Sequence, residues 1–391
     1  MNFTGKVSGM NQLLDLPLGI TEKQELLLKA ALLPAEEAIE YWQKWKKMHD
    51  PTAFSQVQHD ILPQIFDPLD YDSQRLLPLL YRNLEKSGDP IIDTLRGFYR
   101  YTWMKGNSFL NKATGIVDAL QKAGFDVMLL KGLPTAILYY KNMGTRPMDD
   151  IDIFVPLHQV EKVKDYLEQN YNLKANAGEN KLRKLGMFHA MHFTDNKGLD
   201  FDLHWHFHIY NLNAAADQTM WDNKIPLSLT PEVTTYTLSP THQLYRNFTH
   251  GYTWLLPSPP IRWIPDSLVI LREAANQIDW DGLFELAQKQ RLILPMCSML
   301  RYLKLHFNVD FPDTVLRQIN TLHGSNAEKY YFKLLVKANA HKGMEWKYFF
   351  NKTSRILLRY HLYQERDISN SFPIWLFKRI KYTLIFKGLQ A

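Results

Sequence analysis

The feature that most constrains this chain is a change of period. Up to Ala123 the apolar residues recur at helical spacing, and after Gly124 they fall into short runs of strand length. Residues 125–130 (FDVMLL) form an apolar run that Lys131-Gly132 closes, as expected of a buried strand. A helical stretch is predicted over 133–140. Arg146-Pro147 then breaks the chain, and residues 151–155 read as a second strand. Residues 157–169 are amphipathic helix. Two more strands, 187–194 and 199–207, are joined by the turn signal Asp195-Asn196-Lys197-Gly198. The order predicts an α+β fold, with a small mixed sheet over 125–212.

The flanks read as helical. Thr21 with Gln24 three positions on is a capping-box pattern, and Pro34 opens a second helix. Ile39, Trp42 and Trp45 recur every three residues and are expected to form one buried stripe. Helices are predicted at 76–85 and 91–123. From Ser239 the helical period returns, over 242–250, 265–278, 280–290, 295–306 and 311–323, with a loop at 255–260. With 391 residues the chain exceeds one core. Four regions are expected: helical 1–124, the α/β core 125–212, helical 213–341, and a basic aromatic tail over 342–391.

Three carboxylates stand out in the core: Asp150, Asp152 and Asp202. Residues two apart on a strand share a face, about 7 Å apart. Asp150 and Asp152 are therefore expected on one side of their strand, with Ile151, Ile153 and Val155 on the other. Asp202 alternates likewise with Phe201 and Leu203, so a strand paired beside the first would bring it to the same edge. Clustered carboxylates raise each other's pKa unless a counter-charge is present. All-oxygen ligands favour Mg²⁺ or Mn²⁺, and two such ions about 3.5–4 Å apart serve in-line phosphoryl displacement. Upstream, Gly132 lets backbone approach a phosphate closely, with the N–H groups of the following helix start pointing at it. Lys131 and Arg146 add cationic contacts.

An Asp-x-Asp triplet alone is common, and the ordered set is what carries specificity. LLKGLPTAILYYKNMGTRPMDDIDIFVP (129–156) followed by LDFDLHWHF (199–207) resembles the uncharacterised nucleotidyltransferase family of the DNA-polymerase-β-like superfold. Arg262-Trp263 with Asp266 is similar to an element in the family's helical part. The resemblance implies a magnesium-dependent transfer of an NMP from an NTP, with ATP the expected donor, to a hydroxyl-bearing acceptor, and release of pyrophosphate. By that resemblance Asp150 and Asp152 hold the two ions, Asp202 completes the site and helps activate the acceptor, and Gly132 faces the triphosphate. The superfold's usual Gly-Ser or Gly-Gly turn is here Gly132-Leu133. The missing hydroxyl motivates a rival expectation, an inactive nucleotide-binding or scaffold protein on the same fold.

The remaining histidines admit other readings. His204 lies two positions beyond Asp202, where it can orient that carboxylate or contact a phosphate. The run His204, His206, His208 invites a zinc reading, but three collinear imidazoles span too far for one tetrahedral ion. His206 and His208 are expected in solvent at a strand end. Of His189 and His192, at most one is expected to face the site. His250 is expected to be a packing residue, and Arg262 to pair with Asp266 at i,i+4.

Charge narrows the partners. The net charge is +6, yet residues 342–391 hold ten Lys or Arg against three Asp or Glu. Basicity thus belongs to the tail, which suits an interfacial helix on anionic lipid, a nucleic-acid surface, or a docked terminal helix with solvated lysines. No clear nucleic-acid motif is present. One cysteine, Cys297, excludes an internal disulfide. With no secretory signal at the N-terminus and no spanning apolar run, a cytoplasmic protein is expected, with peripheral membrane contact through the tail.

Overall fold

Helices open the chain where their caps predict. Thr21 accepts a hydrogen bond from the Gln24 backbone at 3.2 Å, and the Gln24 side chain accepts one back from Thr21 at 3.0 Å, starting the helix Glu22–Leu32. In the next helix, Ala35–Lys47, Trp42 and Trp45 are buried and stacked with ring centroids 5.0 Å apart. Ile39 is 38% exposed, so the expected three-residue stripe is corrected to two tryptophans. A three-residue step lags a full turn by about 60°, and two such steps rotate Ile39 out of the buried face.

The computed structural model describes residues 19–48, 69–171, 173–176, 188–194, 200–208, 214–252, 260–322, 324–330, 332–333, 360 and 372–387. The predicted turn at 195–198, most of the loop at 255–260 and most of 342–371 lie outside these residues. The chain divides into two compact units. One comprises Met1–Met104, Tyr139–Pro147 and Gln243–Arg355; the other comprises Lys105–Leu138, Met148–His242 and Ile356–Ala391. The first is helical among its described residues. It contains Leu77–Leu84, Trp263–Ala274, Trp280–Lys289, Ile293–Phe307 and Asp313–Thr321, close to the predicted segments.

The second unit carries a seven-stranded sheet: β1 (Met128–Leu130), β2 (Ile151–Phe154), β3 (Lys174–Ala175), β4 (Ala190–Thr194), β5 (Asp200–His204), β6 (Lys224–Ser228) and β7 (Thr234–Leu238). The order is β3-β4-β5-β2-β1-β7-β6. β2 runs parallel to β5 and β1 parallel to β7, and the other neighbours are antiparallel. Ile151, Ile153, Phe193, Phe201 and Leu203 are buried, and Phe193 stacks on Phe201 at 5.2 Å.

The sheet does not stop at 212. The hairpin β6–β7 extends it, and its sequence hides it for two reasons. Pro226 within β6 argues against a strand, and is tolerated because β6 is an edge. The inward positions of β7 are Thr235 and Thr237, not aliphatics; their hydroxyls donate to the carbonyls of Val127 and Leu129, both at 2.8 Å. Buried hydroxyls satisfied in this way replace the apolar signal.

In the helical unit, Glu25 takes His306 at 2.8 Å and Lys29 at 2.7 Å. The His306 hydrogen bond, aided by Lys29 and opposed by burial, lowers its pKa from 4.5 to about 2. A depressed carboxylate stabilises the fold above its unfolded value, and that contribution is lost as pH falls from about 4.5 toward about 2. Glu25→Gln is expected to flatten the fall of melting temperature over that window; an unchanged slope would show that this carboxylate does not govern it.

Candidate functional site

Parallel pairing sets the site. Asp152 of β2 and Asp202 of β5 are register partners on strands about 4.8 Å apart, so their side chains leave the same face. His204, two residues along β5, brings Nε2 to 2.7 Å from Asp152 Oδ1. One ligand atom from each of Asp152, Asp202 and His204 lies within 4.8 Å of the others. Asp152 and His204 are buried, and Asp202 is partly exposed. His192, opposite Asp202 on β4, holds Nδ1 at 3.0 Å from Asp202 Oδ1. The His189 ring lies 5.5 Å from that of His204. Both histidines thus border the trio, where at most one was expected. His189 precedes β4, so strand alternation does not govern it.

Asp150 is not a member of this close trio. β2 begins at Ile151, so the ladder that fixes Asp152 does not fix Asp150. Burial first, then the charge of Asp152, raises the Asp150 carboxyl from 3.8 to about 6. Asp152 goes the other way. Burial opposes its charge, but the ammonium of Lys131 and the His204 hydrogen bond hold the carboxyl below the usual range. Lys131 Nζ contacts Asp152 Oδ1, the same oxygen that takes His204.

Lys131 stands at φ 52° and ψ −114°, a left-handed conformation that disfavours any side chain but glycine's hydrogen. Strain of this kind persists where the surroundings over-determine it, and it clusters at functional sites. Gly132 follows, buried, at the start of Gly132–Thr135. That helix has four residues and passes into the π-helical turn Ala136–Tyr140. The predicted helix start is therefore a short turn, with little macrodipole to bring to a phosphate.

The donor set fits a divalent cation. Two carboxylates suit Mg²⁺ or Mn²⁺, and an imidazole adds a nitrogen ligand. Burial first, then Lys131, lowers the pKa of His204, which favours the neutral ring. Its buried Nδ1 has no hydrogen-bond partner among the described residues, an orphan that a bound group would relieve.

Arg146 is committed elsewhere. In the helical unit its Nε and Nη2 donate to Asp266 Oδ1 and Oδ2 at 2.9 and 2.7 Å, both residues being buried. The Tyr140 hydroxyl donates to Asp266 Oδ1 at 2.9 Å. Burial opposes the Asp266 charge, but Arg146 keeps its pKa low. This differs from the expected triphosphate contact, because a guanidinium with this buried carboxylate partner is already satisfied. It also corrects the expected Arg262–Asp266 pair. Arg262 stands at the N-cap of Trp263–Ala274 and donates instead to the carbonyl of Pro147, which Arg75 also reaches at 3.3 Å. Gly144 lies so close to Tyr99 that an added Cβ would meet its ring at 2.4 Å. Residues 139–147 are thus held at several points just before the chain enters β2.

His206 and His208 are buried, a further correction. His206 Nδ1 lies 2.6 Å from Asp217 Oδ2, and Asp217 Oδ1 accepts from the Phe207 backbone at 2.7 Å. The Asp217 partner on a following helix is a long-range choice that strand spacing cannot show. Among the described residues, neither histidine joins a metal-spaced group. His250 is exposed, where a packing residue was expected.

A model of a family described as an uncharacterised nucleotidyltransferase matches residues 71–308. No curated protein matches the chain. The match takes in Lys131, Asp152, Asp202, His204, Arg146 and Asp266 and ends before the C-terminal helix.

Breaking the buried pair leaves an uncompensated charge. Asp266→Ala is expected to cost roughly 3–5 kcal/mol in urea unfolding. A loss below about 1 kcal/mol, the worth of an exposed pair, would show that Arg146 does not depend on it.

Proposed function

We propose that this chain, which belongs to the uncharacterised nucleotidyltransferase family, transfers a nucleoside monophosphate from an NTP to a hydroxyl-bearing acceptor. The observation that carries this reading is the in-register pair Asp152 and Asp202, joined by His204 and countered by Lys131.

In the reaction the acceptor oxygen bonds to the α-phosphorus in line. The bond from that phosphorus to the oxygen bridging to the β-phosphate breaks, and pyrophosphate leaves with the electron pair. The acceptor proton passes to the Asp202 carboxylate, the partly exposed member of the trio. Asp152, Asp202 and His204 would hold a divalent cation, with Asp150 beside them as the ligand of a second. Such ions, Mg²⁺ or Mn²⁺, supply neutralisation of the charge on the phosphoryl oxygens. Lys131 meets the β- and γ-phosphates in place of the absent turn serine, moving its ammonium from Asp152 to an anion. Gly132 lets the backbone come close to the phosphates. Arg146 acts at one remove, clamping the segment that leads into β2. ATP as donor and the single cysteine are in keeping with a cytoplasmic location.

Calorimetry with Mg²⁺ and each NTP should register binding by the native chain, strongest for ATP. Asp152→Asn with Asp202→Asn should abolish it. Unchanged nucleotide binding in that double variant would sink the assignment. Binding without pyrophosphate release, whatever acceptor a cell extract provides, would favour the scaffold reading.

A further inference from the structure

The C-terminal helix Phe372–Lys387 has two apolar sides. One is anchored: Trp375 is 4% exposed and packs with Tyr360 and Phe372, ring centroids 5.4 and 6.1 Å away. The other faces out. Ile374, Phe377 and Ile380 recur every three residues and are 44, 70 and 51% exposed, with Lys381 exposed beside them. Singly exposed apolar residues are ordinary in soluble proteins, but three large ones within about a third of a turn of one helix surface mark a contact surface.

The charge of the helix selects the occupant. Its sequence holds Lys378, Arg379, Lys381 and Lys387 and no Asp or Glu, and none follows to residue 391. A second copy docked about a two-fold axis would set these like charges against themselves. Nucleic acid would answer the charge but leave Ile374, Phe377 and Ile380 in water. An anionic bilayer surface answers both the apolar ridge, which it takes into its headgroup region, and the helix's net positive charge, with the exposed Lys381 at its phosphates. Among the described residues no helix is long and apolar enough to cross a membrane, so the contact lies in the plane of the interface.

We propose that the ridge Ile374–Phe377–Ile380, with the basic residues of its helix, docks this protein on anionic lipid. The buried Trp375 stays packed with Tyr360 and Phe372 while the ridge enters the interface. The acceptor of the transfer reaction need not be a lipid for this to hold, and the inference stands independently of the proposed activity.

Sedimentation of the full chain with vesicles tests it. Binding to phosphatidylcholine vesicles containing phosphatidylglycerol is expected, with little to phosphatidylcholine alone and a decline as salt rises. Ile374→Ser with Phe377→Ser should weaken partition at least about tenfold, given the apolar area withdrawn. Lys381→Ala should weaken it less, by about fivefold. Both variants lie on the exposed side, so unchanged thermal melting is expected and separates lost docking from lost fold. Equal partition of native chain and double variant would overturn the proposal, as would indifference to lipid charge. So would a dimer in sedimentation equilibrium that the same double variant dissolves, which would make a second copy the occupant. RNA binding that the serine variants leave intact, with no vesicle binding, would refute it in favour of nucleic acid.

Discussion

The parallel pairing of β2 with β5 is the constraint on which the site depends. Register places Asp152 directly beside Asp202, and two carboxylates across adjacent strands repel. The fold tolerates them because one has a cation at hand. Lys131 reaches Asp152 from a backbone conformation that a lysine adopts at a cost, and His204 shares the same oxygen. Asp202 is left partly open, with His192 beside it. The result is a closed half and an accessible half, an arrangement that can store negative charge for a cation and present it to a substrate. Asp150, outside the ladder and pushed toward its neutral form, is the adjustable member.

In the helical unit the chain invests buried polar groups in holding segments rather than in chemistry. Asp266 takes Arg146 and Tyr140, and the Pro147 carbonyl takes Arg75 and Arg262. A buried pair of this kind adds little net stability over apolar packing, but losing one partner is severe. Here it ties residues 139–147 to distant parts of the chain, through Tyr140, Arg146 and the Pro147 carbonyl. The dyad His206–Asp217 does similar work for the chain leaving β5.

How much was legible depended on range. The capping box at Thr21 spans three residues, and the structure has it. The strand 151–154 and the alternation of Asp202 with Phe201 and Leu203 are equally local; the parallel pairing of β2 with β5, which is not, puts the two carboxylates on one face. Reading failed where the partner was distant. Arg146 and Asp266 are separated by 120 residues, and nothing near either one announces the other. Trp42, Trp45 and Ile39 share a spacing, but which way the stripe turns is set by what packs on it. β7 escaped notice because its inward threonines depend on the carbonyls of β1 for their hydrogen bonds.

The sequence by itself determined the period of each segment, the caps, and the order of strand, Lys-Gly turn, Asp-x-Asp strand and later Asp strand, because these follow from neighbours a few residues apart. Tertiary structure alone decided that Asp152, Asp202 and His204 form the close set while Asp150 stands outside it. It also decided that Arg146 belongs to Asp266 and that the sheet continues through β6 and β7. The physical reason is that burial and ion pairing are energies of contact. A side chain's solvent and partners are chosen when remote strands and helices close on it.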